Sequence, residues 1–460
     1  MNSRTNRSKT EVCTTERANI RVLLTGTNRW ALAARLAMSL NDIGCEVFAV
    51  CPAGSSAIAR TQAVRRYFRY SGVRPLASLD RAIRAVNPDL VIPTCDRGVE
   101  HLHELYAQAK KRGPEAQAVT ELIESSLGAA EYYSLISSRY DLLALAQEEG
   151  VRVPRFGRLT TDEELDRWRE REPLPWVMKA DGTWGGQGVR VVHSLEAAKS
   201  SMAELPRRFR LHRAIKRLIV NRDSFWLRPW WRGIKRPVTV QSFIHGRPAN
   251  CTAVCWKGQL LALICVEVVR SHGATGPASV IRIVENRDMR AAAERIAGRL
   301  RLSGFFGLDF MIEEGTNDVL LIEMNPRPTP PCYLRLGEGH DLPGALMAKM
   351  TGQSVPKRPP ATTNRLIAYF PLGIKGNEDI LPHCYRDTPQ GDSQLLEELV
   401  HPFPDRTLLF RLVQWLSRKR AQGAPDGSGV WDRAVGIEAD SDATLCGEET
   451  VQRPKKAANR

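Results

Sequence analysis

The chain predicts a mixed α/β and α+β protein, and three observations carry that expectation. Short apolar runs alternate with helix-length segments near the start. A strand, a glycine-rich loop and a second strand occupy residues 176–192. Two apolar strands joined by a polar turn follow at 304–325. At 460 residues the chain is long enough to bury sizeable cores in two or three subdomains. Its 43% apolar and 25% charged content is that of an ordinary globular protein.

Residues 1–19 are polar and mixed in charge, and they read as a disordered tail with no apolar run that could serve as a signal peptide. No stretch nears the roughly 20 apolar residues that span a bilayer. The ten cysteines are scattered, which suits reduced, buried thiols in a cytoplasmic protein. Cys251 and Cys255 have no second pair at zinc-like spacing. The net charge of +15 is concentrated: between Arg207 and Arg236 eleven Lys or Arg face one acid, a net of +10.

From Ile20 the pattern is strand, loop, helix: an apolar strand over 20–24, the loop at Asn28, and an alanine-rich helix from Trp30 to Leu40. Strands follow at Cys45–Cys51 and, as the third, Asp89–Thr94, so parallel βαβ units are expected. Asn28, Asp96 and Arg97 fall in loops at strand ends, where ligand crevices form; as a bare pattern they are equally polar loop residues. No G-x-G-x-x-G supports a dinucleotide site. A helical connector carries Arg139 and ends near Gly150.

The segment from Trp176 to Val192 places Lys179 before Gly182, Gly185, Gly186 and Gly188. Glycines let a backbone close tightly over phosphates, where a Cβ would obstruct. The basic arm 206–236 interrupts the next region and mixes arginine with Trp226, Trp230 and Trp231. Such a mixture suits an anionic membrane surface or an acidic partner, or a lid insertion with solvated charges. No motif indicates nucleic acid. A strand at Pro237–Ile244 and two more around Lys257-Gly258 follow; then come a small-residue loop with His272, a strand at 280–284 containing Arg282, and a helix over 288–302.

The strands 304–312 and 319–327 end their apolar runs on Asp309, and on Glu323, Asn325 and Arg327. Positions two apart face one way in a strand. Two carboxylates, an amide oxygen and an arginine are hard-ligand chemistry for Mg²⁺ and a polyphosphate. Past Gln353 the pattern weakens: 354–417 reads as a C-terminal extension and 418–460 as disordered.

The series Lys-x-Asp-Gly-x-x-Gly-Gly-x-Gly at 179–188, the strand and turn at 237–246 and the acidic strands at 304–327 resemble the ATP-grasp superfamily. That family includes carboxylate–amine and carboxylate–thiol ligases and the ATP-binding core of carbamoyl phosphate synthetase. The resemblance covers about Ile20 to Met350. It implies an ATP-grasp fold (126–353) preceded by a parallel-sheet domain (20–125). Within the fold it implies a lid lobe near 151–243 and a metal-binding lobe near 244–353. It further implies that Arg139 and Lys179 hold phosphates under Gly185, Gly186 and Gly188. Gln241, Ser242, Phe243 and Ile244 would flank adenine. Asp309, Glu323 and Asn325 would ligate Mg²⁺ (or Mn²⁺), and Arg327 and Arg282 would stabilise an acyl phosphate. The implied activity is an ATP-dependent ligase joining a small-molecule carboxylate to an amine or other nucleophile. A kinase or carboxylase on the same core, and a non-catalytic ATP-binding scaffold using the arm, are the alternatives. Many members carry an acid where Gln241 stands.

Overall fold

The computed structural model describes residues 19–27, 30–52, 57–181, 188–205, 238–272, 276–354, 357–374 and 376–400. The basic arm, Asn28, Gly185, Gly186 and the expected disordered tails lie outside these residues.

The first sheet is parallel. It is built by β1 (Arg21–Thr25), α1 (Ala31–Asn41), β2 (Glu46–Pro52), α2 (Ala57–Arg60), β3 (Val64–Tyr70), α3 (Pro75–Val86), β4 (Leu90–Pro93) and α4 (Asp96–Arg112). The strand order is β3-β2-β1-β4. Val22, Leu23 and Leu24 are each fully buried, because helices cover both faces of a parallel sheet. Two expectations are corrected here. The strand at Asp89–Thr94 is the fourth, since β3 comes before it. Asp96 and Arg97 stand in the first turn of α4 and not in a loop. Gly98 lets that turn close on the end of β1: a Cβ there would lie 3.2 Å from the Thr25 carbonyl oxygen.

The connector comprises α5 (Gln117–Leu127), α6 (Tyr133–Ile136) and α7 (Arg139–Glu148). Ser138 caps α7 by accepting from the Asp141 N–H. The second sheet runs β5-β8-β6-β7. Its elements are β5 (Phe156–Leu159), α8 (Asp162–Arg171), β6 (Trp176–Ala180), β7 (Val189–Val192), α9 (Leu195–Glu204) and β8 (Val238–Ser242). Trp176, Met178 and Val240 fill its core with no exposed surface.

The third sheet has seven strands, in the order β13-β12-β9-β10-β11-β14-β15. In chain order they are β9 (Gly246–Trp256), β10 (Gln259–Ser271), β11 (Ala278–Val284), β12 (Gly304–Glu313), β13 (Val319–Asn325), β14 (Leu366–Tyr369) and β15 (Tyr385–Asp387). The helices α10 (Arg287–Arg299), α11 (Leu342–Thr351) and α12 (Ser393–Val400) accompany them. Met289, Ala293 and Ile296 of α10 pack with Cys251, Phe306 and Leu308 on one face. The C-terminal segment therefore extends this sheet by β14 and β15, and α12 packs back on α2. Asp387, 1% exposed, takes the Arg35 guanidinium and the Tyr333 hydroxyl. That cluster ties α1 to β15 through buried charge. Among the described residues no helix is long and apolar enough to cross a membrane.

Candidate active site

The site forms where β12 and β13 meet β6, α7 and α4. In register, Asp309 faces Glu323 across one strand boundary and Asn250 of β9 across the other. Directly opposed side chains share a face, so Asn250, Asp309 and Glu323 make one row. The next row pairs Thr252, Gly307 and Asn325. A bulge between Asp309 and Phe310 breaks the alternation on β13. Leu321 can thereby enter the core, fully buried, while Glu323 keeps the face of Asp309. Gly307 leaves room for Thr329, whose hydroxyl oxygen a Cβ would meet at 2.4 Å.

The side chains interlock. Asn325 Nδ2 donates to Asp309 Oδ2 at 2.9 Å, and its Oδ1 accepts from Arg327 Nη2 at 3.1 Å. Arg327 Nε donates to Asp96 Oδ1 at 2.9 Å, and its guanidinium lies 5.3 Å over the Trp30 ring. From the connector, Arg139 Nη2 donates to Glu323 Oε1 at 2.9 Å, while Nη1 donates to the Ala180 carbonyl and lies 4.0 Å from Asp181. From β6, Lys179 Nζ donates to the Ile322 carbonyl at 3.0 Å, which also accepts from Gln241 Nε2 at 3.3 Å. Three cations and four carboxylates thus form one cluster, and Glu323 keeps 26% of its side chain open to solvent.

Charge placement sets the protonation states. Burial pushes Lys179 down to about 8, partly countered by Glu323. Burial, with Glu323 adding to it, lifts Asp309 to about 6. Burial alone would raise Glu323 too, but Arg139 and Lys179 hold it below the usual carboxylate range. Arg139 and Arg327 stay above their ordinary values because Glu323 and Asp96 outweigh burial.

The structure brings together Arg139, Lys179, Gln241, Asp309, Glu323, Asn325 and Arg327. It does not join Arg282 to them. Arg282 opposes Glu267, which itself opposes Ala249, so it stands on the other face of the sheet from Asn250 and Asp309. It is half exposed, 3.7 Å from Glu267. Gly188 sits at the end of the flap, its carbonyl accepting from Ala180 N–H at 3.0 Å. In the hinge, the Ser242 and Phe243 N–H groups are engaged by the Arg155 and Pro175 carbonyls. Ser242 Oγ also donates to Glu172, and Phe243 meets His245 edge-on. His272 remains in its loop, bonded through its backbone to Pro277.

Sequence reasoning missed Asn250 and the parts played by Asp181 and Trp30. Asn250 is hidden in an ordinary strand, and only the register places it beside Asp309. Its Oδ1 and the hydroxyls of Thr252 and Thr329 are buried without a hydrogen-bond partner among the described residues. Orphaned oxygen atoms beside two carboxylates fit a hydrated hard cation. No group of three or more His, Cys, Asp or Glu among the described residues could hold a metal alone.

Residues 136–331 match the family model of the ATP-grasp domain. The chain carries an ATP-grasp domain. No curated protein matches the chain. Among solved structures, the N5-carboxyaminoimidazole ribonucleotide synthetase of Thermus thermophilus aligns at 17% identity over 74% of this chain and 80% of its own, with TM-score 0.52. The Aspergillus clavatus N5-carboxyaminoimidazole synthase, in complex with ADP and 5-aminoimidazole ribonucleotide, gives 14%, 74%, 78% and 0.53. The biotin carboxylase domain of Hydrogenobacter thermophilus 2-oxoglutarate carboxylase, with MgADP and bicarbonate, gives 14%, 73%, 70% and 0.50. These likenesses show the fold: an ATP-grasp fold with a parallel sheet before it.

Proposed function

We propose that the protein is a Mg²⁺- and ATP-dependent ligase that activates a carboxylate as an acyl phosphate for attack by an amine or another nucleophile. The observation that carries this reading is the Arg139–Glu323 pair standing in the same cluster as Asp309, Asn325 and Arg327. A scaffold has no need of two carboxylates facing each other beside three cations. The bound nucleotides of the similar structures support ATP as the cosubstrate.

Asp309, Glu323 and Asn325 would hold Mg²⁺, and the metal would screen the γ-phosphate. Glu323, paired here with Arg139, would be one ligand of that metal, and Arg139 would offer a phosphate two parallel donors. Lys179 stays fixed on the Ile322 carbonyl and adds its charge at the same place. Among the hinge residues the Ile244 N–H has no acceptor among the described residues, so it is the donor left for a purine edge. Arg327, oriented by Asp96 and Trp30, faces the developing acyl phosphate. Phosphoryl transfer asks mainly for positioning and charge neutralisation, and these residues supply both.

The test is ADP and phosphate release by purified protein with Mg²⁺-ATP and pools of small carboxylic acids, amino acids and bicarbonate. Hydroxylamine is added to trap an acyl phosphate. Release that depends on one acid, with a hydroxamate formed, is expected. ATP binding without release in any pool would contradict the ligase reading.

A further inference from the structure

We propose that the outer edge of β3 is the docking site of the chain's own acidic C-terminal segment, residues 437–449. β3 ends the parallel sheet, and no described strand pairs with its outer side. Such an edge offers a row of backbone N–H and C=O groups. Its side chains are open and cationic: Arg65, Arg66 and Arg69 are exposed, and Tyr67 keeps 53% of its surface. Arg65 pairs with Glu46, and Arg66 lies 4.8 Å over the Phe68 ring. Arg65 and Arg66 also line an open cleft of about 380 Å³, together with Arg21 of β1, Glu46 and Phe48 of β2 and Val86 of α3. A second β3 is a poor partner for this edge, since arginine would oppose arginine.

Outside the described residues, one stretch has the opposite charge. From Ala434 to Gln452 there are five acids (Glu438, Asp440, Asp442, Glu448 and Glu449) and no Lys or Arg. Glu438, Asp440 and Asp442 alternate, so in an extended strand all three would stand on one face. Ala439 and Ser441 between them, and Ala443 after them, are small enough to lie along a sheet edge.

The route of the chain supports the same pairing. α12 ends at Val400, packed on α2. Arg60 is 3.8 Å from Glu398, and Thr61 Oγ1 donates to Asp392 at 2.7 Å. Three residues later β3 begins. The chain therefore leaves its last described helix beside the strand it is to meet. The 37 residues between Val400 and Glu438 have a contour on the order of 100 Å, ample to reach it. Tethering also raises the effective concentration of the segment to about the millimolar range. The basic arm at 207–236 is the rival site of like charge.

The segment carries its own probe, Cys446. In the full-length chain, Tyr67→Cys is mixed with oxidised glutathione at low salt, and the products are mapped by mass spectrometry. The expected product is a disulfide within one chain between the introduced thiol and Cys446. It should fade at about 1 M salt, where screening reaches ~3 Å. It should be lost with Asp440→Lys and Asp442→Lys, and return when Arg66→Asp and Arg69→Asp are added. The proposal is overturned if no such link forms. It is equally overturned if Leu174→Cys, exposed just before β6, or Leu218→Cys in the basic arm, captures Cys446 as well as the β3 variant does, or if the link forms only between two chains.

Discussion

Arg139 Nη2 stands 2.9 Å from Glu323 Oε1, so the first residue of α7 and an acid of β13, 184 positions apart in the chain, hold each other. Each is the partner that the other would give up. The pair neutralises two charges that are largely shielded from solvent; on the proposed function, Glu323 would hold a metal and Arg139 a phosphate.

Replacing Glu323 by Gln keeps the shape and removes the charge. Acid-dependent ADP release should fall by at least ~100-fold, the scale of losing one electrostatic stabiliser. The melting temperature should change little, since Arg139 keeps Asp181 nearby. Parallel steady-state kinetics and thermal melts check both halves.

Replacing Arg139 by Ala strips Glu323 of its strongest partner. Mg²⁺-ATP affinity should weaken by roughly 10- to 100-fold, about 1.4 kcal/mol for each factor of ten. Arg139→Lys should recover part of it, because a point charge remains but the paired donors do not. Calorimetric titration of the three proteins measures the order.

The C-terminal segment is held by buried charge. Asp387→Ala leaves Arg35 buried without its acid and frees the Tyr333 hydroxyl. A cost of ~3–5 kcal/mol is expected, with Asp387→Asn costing less. Unfolding midpoints in urea would show it.

Stability should also carry a pH signature away from the site. His103 stacks on Tyr133 with centroids 3.9 Å apart, and burial pushes it down to about 4. Its folded value lies below the unfolded one of about 6.5, so the unfolded chain takes the proton first. The stability this neutral ring provides is complete above pH 6.5 and is lost as pH falls toward 4. His103→Phe should flatten that part of the melting-temperature profile.

Much of this site was legible in the sequence because its parts are local. Lys179 ahead of the glycines, and Asp309, Glu323 and Asn325 at the ends of two apolar strands, announce themselves by spacing. What was not legible depends on long-range register. β3, Val64-Arg-Arg-Tyr-Phe-Arg-Tyr, was missed because an exposed edge tolerates three arginines that break the apolar run. β14 and β15 are four and three residues long, too short for a periodic signal, and are strands only because the large sheet receives them. Arg282 reads as a plausible phosphate ligand until the pairing with Glu267 turns it to the other face. The bulge that sends Leu321 inward and Glu323 outward leaves no mark in composition.

The central claim is that the γ-phosphoryl group passes to a carboxylate. The most direct measurement uses whichever acid supports ADP release, enriched with ¹⁸O in its carboxyl group, and follows label into inorganic phosphate. Transfer through an acyl phosphate predicts one ¹⁸O atom in each phosphate formed. Phosphate without label, its new oxygen drawn from water, would contradict the account.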